Sequence, residues 1–318
     1  MYSIEQRVRY YLGNLSNIDH LNVNYKVIQD SKSYFEPNKL VSINLNDMHL
    51  ICRKQIQGNF SIYGPNIINI INKNTNLWKY KNKNILFRWG DCTVNPENDE
   101  LFYITKARRC DSKNGVIMKM SVKRHWGNIP LVKQNDRPFI KKKNILVWRG
   151  STTGQDSNSF EDNRLLAVSK MIHDKNCDIG LTIVCQGQFP DRRLLKKSMS
   201  LKQQLEYKYL LSLEGNDVAS GLKWQLYSNS VVFMRKPRIV SWAMEDKLEP
   251  YVHYIPLLDD FSDFKEKIEW ANNNQEKCKK ISDNATKFIE QFLDQQKENQ
   301  IEKLVLEKYL STMTINGN

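Results

Sequence analysis

The spacing of hydrophobic residues changes rhythm near the middle of the chain. Over residues 3–17, Ile4, Val8, Tyr11 and Leu12 recur on one face and predict a helix. Short apolar runs at 25–28, 40–43 and 51–52 read as strands or turns. Residues 59–63 predict a strand ended by Gly64 and Pro65, and the run 66–71 suits a buried strand or a helix equally. Residues 85–89 predict a buried strand ending at Gly90 and Asp91, and 101–106 predict another. The polar, proline-marked stretch Asn135-Asp136-Arg137-Pro138 then separates two halves. Beyond it, strand patterns at 145–148, 179–185, 209–213 and 230–234 alternate with helical patterns at 164–172, 201–205, 218–227 and 261–272; 149–163 read as a loop. Such alternation predicts a parallel sheet covered on both faces. Residues 278–310 predict one long helical stretch. The expected class is α/β, with domains at 1–137 and 138–318.

Charge narrows the partners. With 48 Lys and Arg against 35 Asp and Glu, the 318-residue chain carries a net +13. That field attracts nucleic acid, an acidic membrane surface or phosphorylated small molecules without choosing among them. Frequent Asn and Lys also suit an AT-rich coding bias, which dilutes the argument. No apolar run reaches bilayer length, and the N-terminus has no apolar signal core. A cytoplasmic protein is therefore expected, with peripheral membrane association left open. Cysteines 52, 92, 110, 177, 185 and 278 show no metal-ligand spacing. They read as reduced thiols, and no metal is expected.

Three places offer chemistry. In the first, an apolar strand runs into Arg149, Gly150, Ser151 and Thr152, with Arg164 opening the next helix. Ligands of open α/β sheets sit beyond strand carboxyl ends. Gly150 would admit backbone close to a ligand, the hydroxyls and amides would donate, and the two arginines offer forked donors for phosphate. The plainer alternative is a surface loop. In the second, a strand ends in Glu214, Gly215, Asn216 and Asp217, followed by Val218, Ala219 and a helix carrying Lys223. A helix N-terminus there would favour phosphate, and Glu214 would accept from sugar hydroxyls. Alternatively, Glu214 or Asp217 caps the helix. The third is Asp91, a candidate general base whose more ordinary reading is a turn aspartate. Lys106 and Arg108 follow another strand, and Arg124 and His125 lie in a basic, aromatic cluster; both groups suit an anionic acceptor, RNA or a solvated face. The pair Asp259 and Asp260 precedes a helix and is expected to cap it rather than bind metal.

Several of these segments resemble glycosyltransferase family 90. They are Val147-Trp148-Arg149-Gly150-Ser151, the run from Tyr207 through Glu214-Gly215-Asn216-Asp217-Val218-Ala219, Leu222-Lys223-Trp224, 228–234, Tyr254 and 259–263, with thinner matches at Gly90-Asp91, 106–108 and 124–126. The resemblance covers roughly 85–280 and is nearest the bacterial and viral-type branch. That family includes protein O-glucosyltransferases, capsule xylosyltransferases and lipopolysaccharide-modifying enzymes. The resemblance implies a GT-B fold, two Rossmann-like domains facing across a cleft, with a C-terminal helix able to return to the first domain. It implies an inverting, metal-independent transfer of glucose or xylose from a UDP-sugar to a glycan or glycolipid hydroxyl, with no cofactor. The donor would bind the second domain through Arg149, Gly150, Ser151, Thr152, Arg164, Glu214, Gly215, Asn216, Asp217, Val218, Ala219 and Lys223. Acceptor-side candidates are Lys106, Arg108, Arg124 and His125.

Three departures bear on this expectation. The family's base aspartate corresponds to Arg109, which moves the base to Asp91 by elimination. An arginine of the family's phosphate helix corresponds to Gly221, leaving Lys223 to replace it. The eukaryotic members enter the secretory pathway, for which this N-terminus carries no signal. No nucleic-acid partner is expected on this reading. The alternatives are a basic nucleic-acid-binding protein and an inactive, glycan-binding family member.

Overall fold

A computed structural model describes residues 1–25, 40–48, 59–88, 90–91, 101–154, 163–185 and 190–316. In chain order, its first elements are helix α1 (Ile4–Leu12), strands β1 (Leu21–Asn24) and β2 (Leu40–Asn44), helix α2 (Asn59–Lys73), and strands β3 (Asn84–Arg88), β4 (Tyr103–Thr105), β5 (Ala107–Arg109) and β6 (Gly115–Ile117). Helices α3 (Val122–Trp126) and α4 (Ile129–Asn135) follow, then β7 (Lys143–Ser151), α5 (Asn163–Met171), β8 (Cys177–Ile183), α6 (Leu201–Gln204), β9 (Tyr207–Leu211), α7 (Leu222–Leu226) and β10 (Val231–Met234). The chain ends with β11 (Ile239–Ser241), β12 (Ile255–Pro256), α8 (Phe264–Asn273), α9 (Gln275–Glu290), α10 (Gln295–Thr312) and β13 (Met313–Asn316). It falls into two compact units: residues 1–122, 239–242 and 292–318 in one, and 123–238 with 243–291 in the other.

The second unit holds a five-stranded sheet in the order β12-β10-β9-β7-β8. Every adjacent pair is parallel. Alternate residues Leu146, Trp148, Tyr209, Leu211, Val231 and Phe233 join one core with Ala167, Val168 and Met171 of α5 and Ile268 and Ala271 of α8. Their neighbours Val147, Leu210 and Val232 are also buried, so both faces of the central strands are covered. This makes the continuous apolar runs of the sequence buried parallel strands. The strand order reverses direction between β7 and β9: β8 lies outside β7, while β10 and β12 follow outside β9. Ligands of open α/β sheets bind at the carboxyl ends of the strands flanking such a reversal.

The first unit has a four-stranded sheet, β2-β3-β4-β6, in which β2 runs antiparallel to its neighbour and the other pairs are parallel. Two small ladders complete it, β5 with β11 antiparallel and β1 with β13 parallel. Beneath α1 lies a buried polar cluster. Glu298 of α10 accepts from the Arg7 guanidinium, the Trp242 indole N–H and, at 3.2 Å, Lys119 Nζ. Tyr11 stacks on Trp242 at 3.9 Å between ring centres and donates its hydroxyl to the Trp242 carbonyl.

Glu302, one turn beyond Glu298, is pushed up to about 7 by burial; Lys119 opposes that and the Glu298 charge adds to it. An acid raised in the folded state is protonated there while the unfolded chain still ionises normally. Its stabilising contribution is full below the ordinary value of 4.5 and is lost as pH rises through about 7. Removing the charge with Glu302→Gln is expected to restore up to about 3 kcal/mol at pH 8 and to flatten the dependence between pH 5 and 8. Paired melting curves at the two pH values check this; an equal pH loss in the variant contradicts it.

Several sequence expectations change. Residues 59–63 are helical, not a strand, because Tyr63, Ile67, Ile70 and Ile71 form one buried face that carries α2 through Pro65. That same face settles 66–71 as helix. The loop expected from 149 begins later, since β7 continues to Ser151. The helix expected over 218–227 is only Leu222–Leu226; Val218 and Ala219 are apolar because they lie in a buried loop. The long terminal helix is two helices, broken at 291–294, where Asp294 caps the second through the Gln296 and Lys297 amides. The runs 26–28 and 51–52, together with Trp89, Cys52 and Cys92, lie outside the described residues.

Candidate functional site

The carboxyl ends of β7 and β9 meet around Arg164. Its Nε donates to the Glu214 carbonyl at 3.2 Å and its Nη2 to the Leu213 carbonyl at 3.2 Å. Its Nη1 donates to Thr153 Oγ1 at 2.6 Å and to Ser151 Oγ at 3.2 Å. The guanidinium lies 5.7 Å from the Trp148 ring centre. One planar, permanently charged fork thereby joins the two strand ends at the reversal point, a geometry lysine cannot supply.

The two hydroxyls that Arg164 engages stand 3.0 Å apart. Two hydroxyls carry two protons. One closes the bond between them, and among the described residues no acceptor takes the other. Because both oxygens accept from a cation, that second O–H is polarised and suited to an anionic oxygen. Ser151 ends β7, and the chain bends at Thr152 so that Thr153 also meets Arg164. Thr152 points the other way: its buried hydroxyl donates to the Cys185 carbonyl and accepts from the Cys185 N–H. Thr153 is thus the site residue that the sequence reading passed over; no local pattern signalled it, since it lies past the strand end.

Three glycines shape the crossing. A Cβ on Gly150 would come within 2.4 Å of the Trp148 indole, so this glycine makes room for that ring. Gly154 adopts φ +106° and packs its Cα side against Gly215 and the Glu214 carbonyl. Its N–H donates to Asn216 Oδ1 at 2.8 Å, latching the two strand ends a second time. Glu214 Oε1 accepts the Arg238 N–H at 3.0 Å, and the Arg238 guanidinium pairs with Asp259 at 2.9 Å. Arg238 is therefore a further basic group of this region. Asp217 Oδ1 takes the Val218 N–H, four residues ahead of the α7 N-cap, so Asp217 shapes the loop rather than capping a helix. Val218 and Ala219 are buried beside it.

Other predicted residues sit elsewhere. Arg149 binds Asp178 through its carbonyl at 2.6 Å and its carboxylate at 2.7 Å. Burial pushes the Asp178 carboxyl up, but Arg149 and Lys196 more than offset this and hold it below its usual range. Lys223 is buried and donates to Glu245 Oε1 at 2.6 Å. Both cations are committed to internal carboxylates. Asp259 pairs with Arg238, and Asp260 accepts from Ser262, so the expected capping role passes to neither; the N-cap position of α8 is Asp263, whose side chain makes no capping bond.

In the first unit, Asp91 follows β3 after Gly90, whose φ is +91°. Its carboxylate accepts from Lys106 Nζ at 2.7 Å, beyond the adjacent parallel strand β4. Asp91 is about one third exposed, whereas the Lys106 side chain is buried. Arg108 bonds the carbonyls of Tyr10, Tyr11 and Gly115, so it closes the carboxyl end of α1. Arg124 and His125 lie on α3, Arg124 exposed and His125 buried, within the other unit. Among the described residues no three His, Cys, Asp or Glu side chains cluster to hold a metal ion, and no described helix is long and apolar enough to cross a membrane.

A parallel sheet with an arginine-bound hydroxyl pair at its reversal point defines an α/β protein of the open-sheet kind. More particularly, the chain belongs to glycosyl transferase family 90, whose model matches residues 118–317. It is 35% identical over 227 residues to the O-glucosyltransferase LpsA of Dichelobacter nodosus, across 71% of this chain and 66% of that one. It is 39% identical over 88 residues to protein O-glucosyltransferase 2 of Danio rerio, across 28% of this chain and 17% of that protein. An uncharacterized protein, 179R of Invertebrate iridescent virus 6, is 27% identical over 190 residues and is matched over 16% of its length. The chain thus spans about two thirds of the bacterial relative and less than a fifth of the other two.

Proposed function

We propose that this protein is an inverting glycosyltransferase of GT-B type that moves a sugar from a UDP-sugar to a hydroxyl of a glycan or lipid-linked glycan. Glucose is the preferred sugar over xylose, since the bacterial and fish relatives carry the name O-glucosyltransferase. The observation that carries this reading is the Arg164–Ser151–Thr153 group at the strand reversal, inside the region matched by the family model. A UDP leaving group departs with charge building on its diphosphate oxygens. Preorganised donors aimed at that charge lower the barrier without rearranging. Arg164 supplies the fixed positive charge and the hydroxyl pair the proton, so no divalent cation is required. The acceptor hydroxyl attacks the face of the sugar opposite UDP, which inverts the anomeric carbon. Asp91 takes its proton, held in place by Lys106.

Melting the protein with UDP tests the donor site. Ligand at about 100 times its dissociation constant adds about 2.7 kcal/mol to the folded state. The expected result is a shift with UDP, undiminished by EDTA, and none with CMP. A shift abolished by EDTA removes metal independence, and no shift with any nucleotide removes the transferase reading. Asp91→Asn is expected to lower kcat by about 10²–10⁴ while leaving UDP binding intact. Undiminished turnover takes Asp91 out of the mechanism.

A further inference from the structure

The edge strand β8 leads into an exposed apolar and basic surface. Past Leu181, which is fully buried, the strand's last residue Ile183 is 62% exposed and Val184, just beyond it, 42%. The segment from Asp191 to Ser200 is held against this edge: Leu195 bridges to Leu181, and the Lys196 N–H donates to the Leu181 carbonyl at 2.7 Å. Arg149 fixes the next carbonyl, that of Lys197, at 3.0 Å. Gly180 leaves room for the Lys196 stem, since a Cβ there would come within 2.6 Å of it. The segment is pinned by its backbone, by Leu194 packed on the core and by Lys196 paired with Asp178. Leu195 is 40% exposed, and Arg192, Arg193 and Lys197 are exposed beside it.

The charge of this segment is one-sided. Residues 190–202 contain Arg192, Arg193, Lys196, Lys197 and Lys202 against the single acid Asp191, a net +4. Asp191 pairs with Arg193 and Asp178 with Lys196, which leaves Arg192 and Lys197 without an ion pair among the described residues. Three exposed aliphatics flanked by cations suit one surface above others. Aliphatic side chains enter the boundary between headgroups and acyl chains while Arg and Lys meet anionic headgroups. A nucleic acid would supply phosphates but no apolar phase for Ile183, Val184 and Leu195.

We propose that Ile183, Val184 and Leu195, with Arg192, Arg193 and Lys197, form a docking surface for an anionic lipid bilayer. Ile183 pairs with Ser151 in the sheet, so the variants below spare it and UDP binding is read beside lipid binding. The test is co-sedimentation of the full chain with vesicles of phosphatidylcholine, alone or with about one third phosphatidylglycerol, at low salt and at about 1 M, where charges are screened beyond about 3 Å. Binding is expected only to the anionic vesicles and only at low salt. Each cation near the surface contributes about fivefold in affinity. The triple variant R192E/R193E/K197E is therefore expected to lose more than about a hundredfold, and V184S/L195S to lose binding while keeping its charge. Both variants are melted with and without UDP, so a folding defect or a failed donor site registers apart from lipid binding. No sedimentation with anionic vesicles, or undiminished sedimentation of the charge-reversed protein, overturns the proposal. So does preferential binding to a generic RNA or to an acidic polypeptide.

Discussion

Glu298→Gln is expected to destabilise the first unit by about 3–5 kcal/mol, the range for breaking a buried ion pair from one side. Glu298 is fully buried and surrounded by donors: the Arg7 guanidinium, the Trp242 indole N–H and Lys119 Nζ. A carboxylate accepts from all three. The amide of glutamine has the same shape but must turn an NH₂ toward at least one of those donors, and it removes the charge that balances Arg7. Arg7 is itself fully buried and stays ionised, with burial opposed by Glu298 and the Tyr11 hydroxyl. Urea unfolding followed by tryptophan fluorescence reads the loss. A change under about 1 kcal/mol would mean that water reaches the cluster and the pair is not desolvated.

Arg164→Lys is expected to weaken UDP binding and to lower kcat/KM by about 10²–10³, the scale for loss of one preorganised charge-stabilising donor. A lysine at 164 can reach the Ser151–Thr153 hydroxyls or the carbonyls of Leu213 and Glu214, but a single ammonium cannot hold both sides. The hydroxyl pair then loses the fixed cation that orients it. The fold should lose only about 1–3 kcal/mol, the cost of buried carbonyls left without a donor. Calorimetric titration with UDP separates the two effects. Unchanged UDP affinity in a folded variant would show that Arg164 is a strut alone.

Much of the second unit was legible in the sequence for a simple reason. Each central strand is buried on both faces, so it appears as an unbroken apolar run such as Leu146-Val147-Trp148. The strand order is not written in any one run, and the site depends on it: only once β7 lies beside β9 does Arg164 stand between Ser151 and Glu214. Arg149 and Lys223 look like ligand cations because their partners are distant in sequence; Asp178 lies 29 residues from Arg149 and Glu245 lies 22 from Lys223. Thr152 and Thr153 part only at the bend after β7, where one hydroxyl turns to Cys185 and the other to Arg164, a divergence no run in the sequence marks. Pro65 misled in the opposite sense, since a proline can stand inside a helix whose apolar face is long enough to outweigh one missing hydrogen bond. Residues 239–242 sit amid second-unit sequence yet pair with β5 in the first unit, a return no local pattern signals.

That return bears on how the molecule is made. Arg7 emerges from the ribosome 291 residues before the glutamate that neutralises it, and β1 waits as long for β13, the strand that completes its ladder. The second unit needs nothing translated after residue 291. Synthesis therefore runs inside out: the second unit can close on the nascent chain while the N-terminal segment waits with Tyr11 unstacked and Arg7 uncompensated. A ribosome stalled after residue 291 would carry a folded second unit tethered to an unfolded beginning.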